Sequence, residues 1–283
     1  MAARQQADSD FMAPPVELSV GAALDYSARI SHHPRGMSPF IRRVSRHVRI
    51  DEESQAFLQS LQAEPMVIRA DTELYSIRDE VRDIYIVQMG WLLGYSILPS
   101  GQRHIHRIYH PGDIVGIEDI NWNYHTSNVK AATPVVLTSL GRGRLRGVFE
   151  DSPRLARAIF SMTMMDQVHL FDSLKAVGRM SSEARAAAFI LQMWSRARAA
   201  GTSIGEATLF MPLTQTEIGD AMGLTNVSVS RAMTSLADSG LIRRSGHRLE
   251  LLDIKTLKRM CDYSDRTMRV DRDWVEQREA LSA

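Results

Sequence analysis

The sequence predicts an α+β protein: a β unit, then a long helix, then a small helical domain that ends in a winged helix-turn-helix. Three observations carry this. Five short segments rich in β-branched and aromatic residues lie within residues 66–140, separated by turn residues. An apolar stripe at helical spacing occupies 153–178. Residues 213–253 hold two capped helical segments around a glycine turn, followed by two strand-like segments.

The chain has 283 residues, and at roughly 150 residues per domain this is room for two domains. Hydrophobic residues make up 44% and charged residues 24%, the composition of an ordinary globular chain. The net charge is +1, so any basic surface must be local. One cysteine, Cys261, excludes an internal disulfide, a cysteine-ligated zinc site and a four-cysteine iron–sulfur cluster. No apolar run is long enough to span a bilayer and the first residues carry no secretory pattern, so a cytoplasmic protein with no membrane partner is expected.

Residues 1–45 read as a poorly ordered extension, broken by Pro14-Pro15, His33-Pro34, Gly36 and Ser38-Pro39. Arg42, Arg43, Arg46 and Arg49 with His47 read either as a solvated helix face or as a nucleic-acid or lipid contact. The β unit is expected over 46–152, introduced by a short helix with Phe57, Leu58 and Leu61 inward behind Asp51-Glu52-Glu53. Met66-Val67-Ile68, residues 84–87, 91–98, 105–109 and 135–140 are its strands. Gly90, Pro99-Ser100-Gly101, Pro111-Gly112-Asp113 and Thr133-Pro134 mark turns, which points to a barrel or sandwich. Gly141-Arg142-Gly143 is read as a further turn.

Leu155, Ile159, Met162, Met165 and His169 recur at spacings of 4, 3, 3 and 4, a seam expected to pair two copies of the chain along 153–178. A helical domain follows over 179–260, its first helix capped by Ser181 or Ser182 and stopped by Gly201. Thr214-Gln215-Thr216-Glu217 is a capping box and Gly223 the tight turn. Thr225 caps a second helix over 226–238, and residues 241–244 and 247–252 form the wing. When such a second helix lies in a major groove, its first turns meet base edges. Those residues are Asn226, Val227, Ser228, Ser230 and Arg231, with Arg231 suited to guanine and Asn226 to adenine. Thr214, Gln215 and Thr216 at a helix start, and Arg243, Arg244, His247 and Arg248 on the wing, suit phosphates. Past the wing, Leu257, Met260 and Cys261 can pack back on the helical domain; residues 261–283 form a tail, of which 265–279 can be helical.

At this point the chain resembles the Crp/Fnr superfamily of bacterial transcription regulators. The resemblance rests on Leu98-Pro99-Ser100-Gly101-Gln102-Arg103-His104-Ile105, on Pro111-Gly112-Asp113-Ile114-Val115-Gly116 and on the run from Thr214 to Arg231. It implies a cyclic-nucleotide-binding-like jelly roll, a dimerisation helix and a winged helix-turn-helix. The implied protein is a homodimer that reads near-palindromic double-stranded DNA and works with RNA polymerase. It also implies an effector pocket around Gly112, Asp113, Gly116, His125 and Thr126 for an unknown small molecule. Departures narrow that effector. Ile117 stands where cyclic-AMP-responsive members place a ribose-holding Glu, and His125-Thr126 where they place an Arg-Ser pair, so tight cyclic-AMP binding is not expected. Val227 stands where many members read cytosine with Glu, so their half-site is not expected either. No cofactor is expected; a haem or metal would have to use His104, His106, His110 or His125. No catalytic constellation appears, so an enzyme is not expected. The competing class is a ligand-binding or protein-interaction module of the same fold without DNA binding.

Overall fold

A computed structural model of the chain describes residues 38–60, 63–267 and 270–271. It opens with helix α1 (Pro39–Val44), capped by the Ser38 hydroxyl, which accepts from the Ile41 amide at 3.2 Å. The extension expected through residue 45 is therefore ordered from Ser38 onward; residues 1–37 lie outside the described part. Phe40, Ile41 and Val44 are buried, and this apolar triplet is what holds α1 against the rest of the chain. Helix α2 (Glu52–Ser60) follows, with Leu58 inward.

The β unit is a roll of two four-stranded antiparallel sheets. Its strands are β1 (Met66–Ile68), β2 (Glu73–Tyr75), β3 (Asp83–Met89), β4 (Leu92–Ile97), β5 (Arg103–Tyr109), β6 (Ile114–Val115), β7 (Asn128–Ala131) and β8 (Val135–Gly141). One sheet runs β1-β8-β3-β6 and the other β2-β7-β4-β5. Tyr75, Val87, Leu92, Tyr109, Val129 and Leu137 fill the space between them. The five segments predicted as strands are strands. β2, β6 and β7, of three, two and four residues, fall outside those segments, because so few residues carry little periodicity.

Gly141 is not a turn. It sits extended at the start of helix α3 (Arg142–Asp151), which carries Gly143 and Gly147 in its interior. Each glycine costs a helix about 1 kcal/mol; burial of Leu145 and Val148 on one face decides the matter. The long helix α4 (Pro153–Arg179) follows. After two extended residues, Met180 and Ser181, helix α5 (Ser182–Ala200) begins, with Ser181 as its cap. Arg185 binds this joint. Its guanidinium donates to the Val177 and Met180 carbonyls of the long helix's end at 2.8 and 3.5 Å, and to those of Met222 and Gly223 at 3.0 and 3.4 Å.

The C-terminal unit consists of α5, β9 (Thr208–Phe210), α6 (Gln215–Met222), α7 (Asn226–Asp238), β10 (Ile242–Ser245), β11 (Arg248–Leu251) and α8 (Ile254–Met260). The wing has a third strand, β9, paired with β11. The two units are not separate bodies. Trp91, Leu93, Tyr95, Ile105 and Ile108 of the β roll share one core with α5, α6 and α7 residues such as Ile190, Met193, Ile218 and Val229. At the edge of this core, Arg103 pairs with Asp220 at 2.7 Å, and His104 meets the Asp220 carbonyl at 3.2 Å.

The dimer seam expected on α4 is on the wrong face. Leu155, Ile159 and Met162 are only 1%, 3% and 2% exposed because α1 and the roll cover them within the same chain. Met165 and His169 are half-buried, and His169 Nε2 meets the Thr267 hydroxyl at 3.1 Å. What α4 leaves open is a second stripe: Phe160, Met164, Phe171 and Leu174, at 52%, 38%, 55% and 61% exposure. With Gln167 between them, their spacing alternates 4, 3, 4 and 3, the heptad rhythm of a two-helix seam. The tail laces α4 and α5 through Lys175–Asp262, Arg266–Asp172 and Ser195–Asp265 contacts at 2.7, 2.6 and 2.5 Å. Leu257 and Cys261 pack inward as expected, whereas Met260 stays exposed. The helix considered over 265–279 falls largely outside the described residues.

Candidate nucleic-acid interface and inter-domain cavity

The helix-turn-helix forms where the residues place it. Thr214 and Glu217 close a reciprocal capping box, at 3.2 Å from the Glu217 amide to the Thr214 hydroxyl and 2.9 Å from the Thr214 amide to the Glu217 carboxylate. The turn then passes so close to α6 that a Cβ on Gly219 would lie 2.6 Å from the Leu224 carbonyl oxygen. Gly219 is thus the second glycine that the turn requires, and its place inside a helical run hides that need from a sequence reading. Thr225 caps α7 by accepting from the Ser228 amide at 3.2 Å. Val229, Ala232, Met233 and Leu236 are buried, which fixes the face that α7 turns outward.

The five residues expected to read bases divide into two groups. Asn226 donates to the Thr216 hydroxyl at 3.1 Å and so lashes α7 to α6. Ser228 shares a hydroxyl contact of 3.0 Å with Thr225. Val227, Ser230 and Arg231 point to solvent, Val227 at 59% exposure, and Arg231 has no carboxylate partner among the described residues. Thr214, Gln215 and Thr216 are exposed at the start of α6, where free amides favour an anion. On the wing, Arg243, Arg244, His247 and Arg248 are exposed. Glu250 partly offsets them, 3.1 Å from Arg243 and 3.7 Å from Arg248.

Between the roll, α4 and the C-terminal unit lies a cavity of about 670 Å³. Its lining includes the apolar side chains of Ile105, Ile108, Leu170, Phe189 and Met193. It also includes the charged or titratable side chains of Arg107, Glu118, Asp166, His169 and Arg196. Behind these side chains an ionic cluster crosses every part of the chain. Asp113, on the turn before β6, takes Arg43 of α1 on one oxygen and Arg196 of α5 on the other. Asp166 of α4 takes Arg43 at 3.0 Å and Arg107 of β5 at 2.6 Å. Against its burial, Arg107 and Arg43 hold the Asp166 carboxyl well below the usual carboxylate range. Burial, reinforced by neighbouring guanidiniums, pushes Arg43 and Arg196 down to about 10. Burial also holds His110 well below its ordinary value, and brings His169 to about 3.

Of the pocket residues expected from the sequence, Thr126 alone lines this cavity. Gly112 packs on α1, where a Cβ would lie 2.7 Å from the Pro39 carbonyl oxygen, and Asp113 is consumed by the ionic cluster. Gly116 packs beside Tyr75 and His125. His125 is buried, stacked on Tyr75 at 3.5 Å and bonded to Asp119 at 2.9 Å. Within the basic run at 42–49, Arg43 is an internal clamp and His47 is buried, Arg42 and Arg46 are half-buried, and Arg49 is exposed. Among the described residues, no three His, Cys, Asp or Glu side chains converge as a metal site, and no helix is long and apolar enough to cross a membrane.

Comparison with known proteins bears on both regions. Residues 184–260 match the Crp-like helix-turn-helix domain, and residues 65–152 match the cyclic nucleotide-binding domain. The chain is 30% identical over 203 residues to the transcriptional regulatory protein btr of Bordetella pertussis, covering 72% of this chain and 83% of that one. It is 29% identical over 181 residues to the nitrogen fixation regulation protein FixK of Bradyrhizobium diazoefficiens, covering 64% and 74%. Among solved structures it is similar to FixK2 from Bradyrhizobium japonicum, with a TM-score of 0.63, 27% identity, and 70% and 96% coverage.

Proposed function

The chain belongs to the Crp/Fnr family of transcription regulators and carries that family's helix-turn-helix DNA-binding domain, and we propose how this member uses it. Members of the family bind DNA and act as dimers. In this chain the pairing surface is the exposed stripe of Phe160, Met164, Phe171 and Leu174. Two copies joined there present two α7 helices to successive major grooves of a two-fold operator, about 34–36 Å apart. Arg231 reads guanine, Val227 touches a thymine methyl, and Ser230 is the adaptable polar contact. Asn226 and Ser228 fix the pose of the helix. The start of α6 and the wing arginines hold phosphates.

The single observation that supports this reading most is the outward face of α7. Its first turns are exposed beside a capped α6 and a basic wing, and Arg231 has no carboxylate partner among the described residues. The 670 Å³ cavity is the effector site, within the usual range for small-molecule pockets. A ligand there touches the roll, α4 and α5 together, so it biases how the C-terminal unit is carried. Ile117 lines it where cyclic-AMP-responsive members place a ribose-holding Glu, so cyclic AMP is not the ligand this reading assigns. The reading assigns no resident cofactor, places the protein in the cytoplasm and makes RNA polymerase the downstream partner.

The test is selection of bound duplexes from a random pool, followed by affinity measurements across salt. A two-fold consensus and a steep loss of binding with salt are expected. Arg231→Ala on the selected site should cost about 1–3 kcal/mol and relax one position in each half-site. Recovery of no consensus, or weak salt-independent binding, removes the DNA-reading role.

A further inference from the structure

Past residue 260, where the helix-turn-helix match ends, the chain turns back and lies along α4. Asp262 makes the turn, its φ of 49° in the left-handed region that aspartate tolerates better than most residues. From there residues 262–267 run antiparallel to the helix. Asp262 accepts from Lys175 at 2.7 Å, Arg266 donates to Asp172 at 2.6 Å, and the Thr267 hydroxyl meets His169 Nε2 at 3.1 Å. The three partners on α4 recur every third residue and so share one face of it. A base meets an acid at one step and an acid meets a base at the next, which sets the register.

The same segment also grips α5. Asp265 accepts from the buried Ser195 hydroxyl at 2.5 Å, and Tyr263 packs on the core that α5, α6 and α7 share. His169, Asp172 and Lys175 precede the extended joint at Met180 and Ser181, whereas Ser195 and the segment's root on α8 follow it. The segment thus crosses the joint from outside, and a swing of the C-terminal unit about Met180 pulls it off α4. Its ion pairs are shallow: Lys175 and Asp262 are 49% and 89% exposed, Arg266 and Asp172 47% and 38%. Such pairs are weak and screened by salt, so they part without unfolding either unit. We propose that residues 262–267 are a releasable strap that holds the DNA-binding unit in one pose on α4, and thereby fixes the half-site spacing that two copies accept. The spacing role rests on the DNA-reading proposal; the strap itself does not.

The experiment follows amide hydrogen exchange in the full chain. The Met180 and Arg185 amides, bonded to the Ala176 and Ser181 carbonyls at 3.2 and 2.9 Å, report on the joint, and the Val87 amide on the roll. In Asp172→Arg the joint amides should exchange about two- to fivefold faster while Val87 is unchanged. Adding Arg266→Asp to that variant restores opposite charges and should restore protection. Asp265→Ala, which frees the hold on α5, should loosen the joint as well. The strap is overturned by joint amides that keep the parental rate in both single variants, by acceleration spread equally over the roll, or by a swapped pair that does not recover. On the selected operator, Asp172→Arg should bind about two- to fivefold more weakly. It should also lose less than the parent when one inserted base pair turns a half-site by about 35°. A loosened joint that rejects the insertion as sharply as the parent overturns the spacing role. If the joint loosens as expected but neither chain binds any duplex, the DNA-reading proposal falls and the strap stands.

Discussion

The two ends of the molecule use arginine in opposite ways. On the winged unit, Arg231, Arg243, Arg244 and Arg248 stand in solvent, with one weakly shared carboxylate among the wing residues. At the junction of α1, β5, α4 and α5, Arg43, Arg107 and Arg196 are withdrawn from water around two aspartates. Exposed guanidiniums are screened, mobile and available to a polyanion. Withdrawn ones are geometrically fixed, so removing a partner leaves a charge stranded in a poor solvent. One region is therefore built to gain contacts from outside, and the other to hold four segments of the chain in a single arrangement.

The sharpest way to break this contrast is Asp166→Ala. It takes the paired carboxylate from Arg107 and leaves Arg43 with Asp113 alone, and it should lower stability by about 3–5 kcal/mol in urea unfolding. A loss below about 1 kcal/mol would mean that the junction is as dispensable as a surface pair. Next in size is Phe171→Glu on the open face of α4. Each phenylalanine buried in a two-fold seam contributes on the order of 1.5–3 kcal/mol. Sedimentation should therefore show monomers at concentrations where the parent pairs, and operator affinity should fall with no change in monomer stability. An unchanged dimer would move the seam elsewhere.

Acid should act on the junction and spare the wing. His110 and His169 have folded pKa values below the ordinary 6.5, so below that pH the unfolded chain binds protons that the folded chain refuses. Stability is full above about pH 6.5 and declines as pH falls. Each histidine accounts for about 1 kcal/mol between pH 7.5 and 5.5, and Asp166 adds its own loss only below about pH 4. Urea midpoints across this range check the slope, which His169→Gln should flatten. The smallest expected effect is Arg243→Gln. It should weaken operator binding by less than about 1 kcal/mol, lower the salt slope by about 1 and leave unfolding untouched.

The same contrast explains what the sequence made legible. The winged unit is encoded by neighbours. Thr214 and Glu217 are three residues apart, and Thr225 caps the helix that immediately follows it, so α6 and α7 begin where the residues say. Strand segments such as Val135–Gly141 were readable for the same reason. The junction is encoded by partners 123 residues apart, as with Arg43 and Asp166, and no local pattern announces such a pair. That blindness propagated. If α1 is irregular, the stripe of Leu155, Ile159 and Met162 has no internal cover and points to a second copy. The true open stripe, Phe160 to Leu174, has the same periodicity rotated around the helix, and only knowledge of what α1 buries separates the two. Asn226 shows the finer limit: it stands exposed at the first turn, and the one hydrogen bond its amide gives to Thr216 ties it to a residue ten positions away that no local pattern announces.

Arg185 sets the character of any movement between the two units. Two of its bonds, to the Met222 and Gly223 carbonyls, lie within the C-terminal unit, and two, to Val177 and Met180, reach the end of α4. Swinging that unit about Met180 therefore breaks the second pair and keeps the first. The guanidinium travels with the C-terminal unit, and the last turn of α4 is what loses its cap.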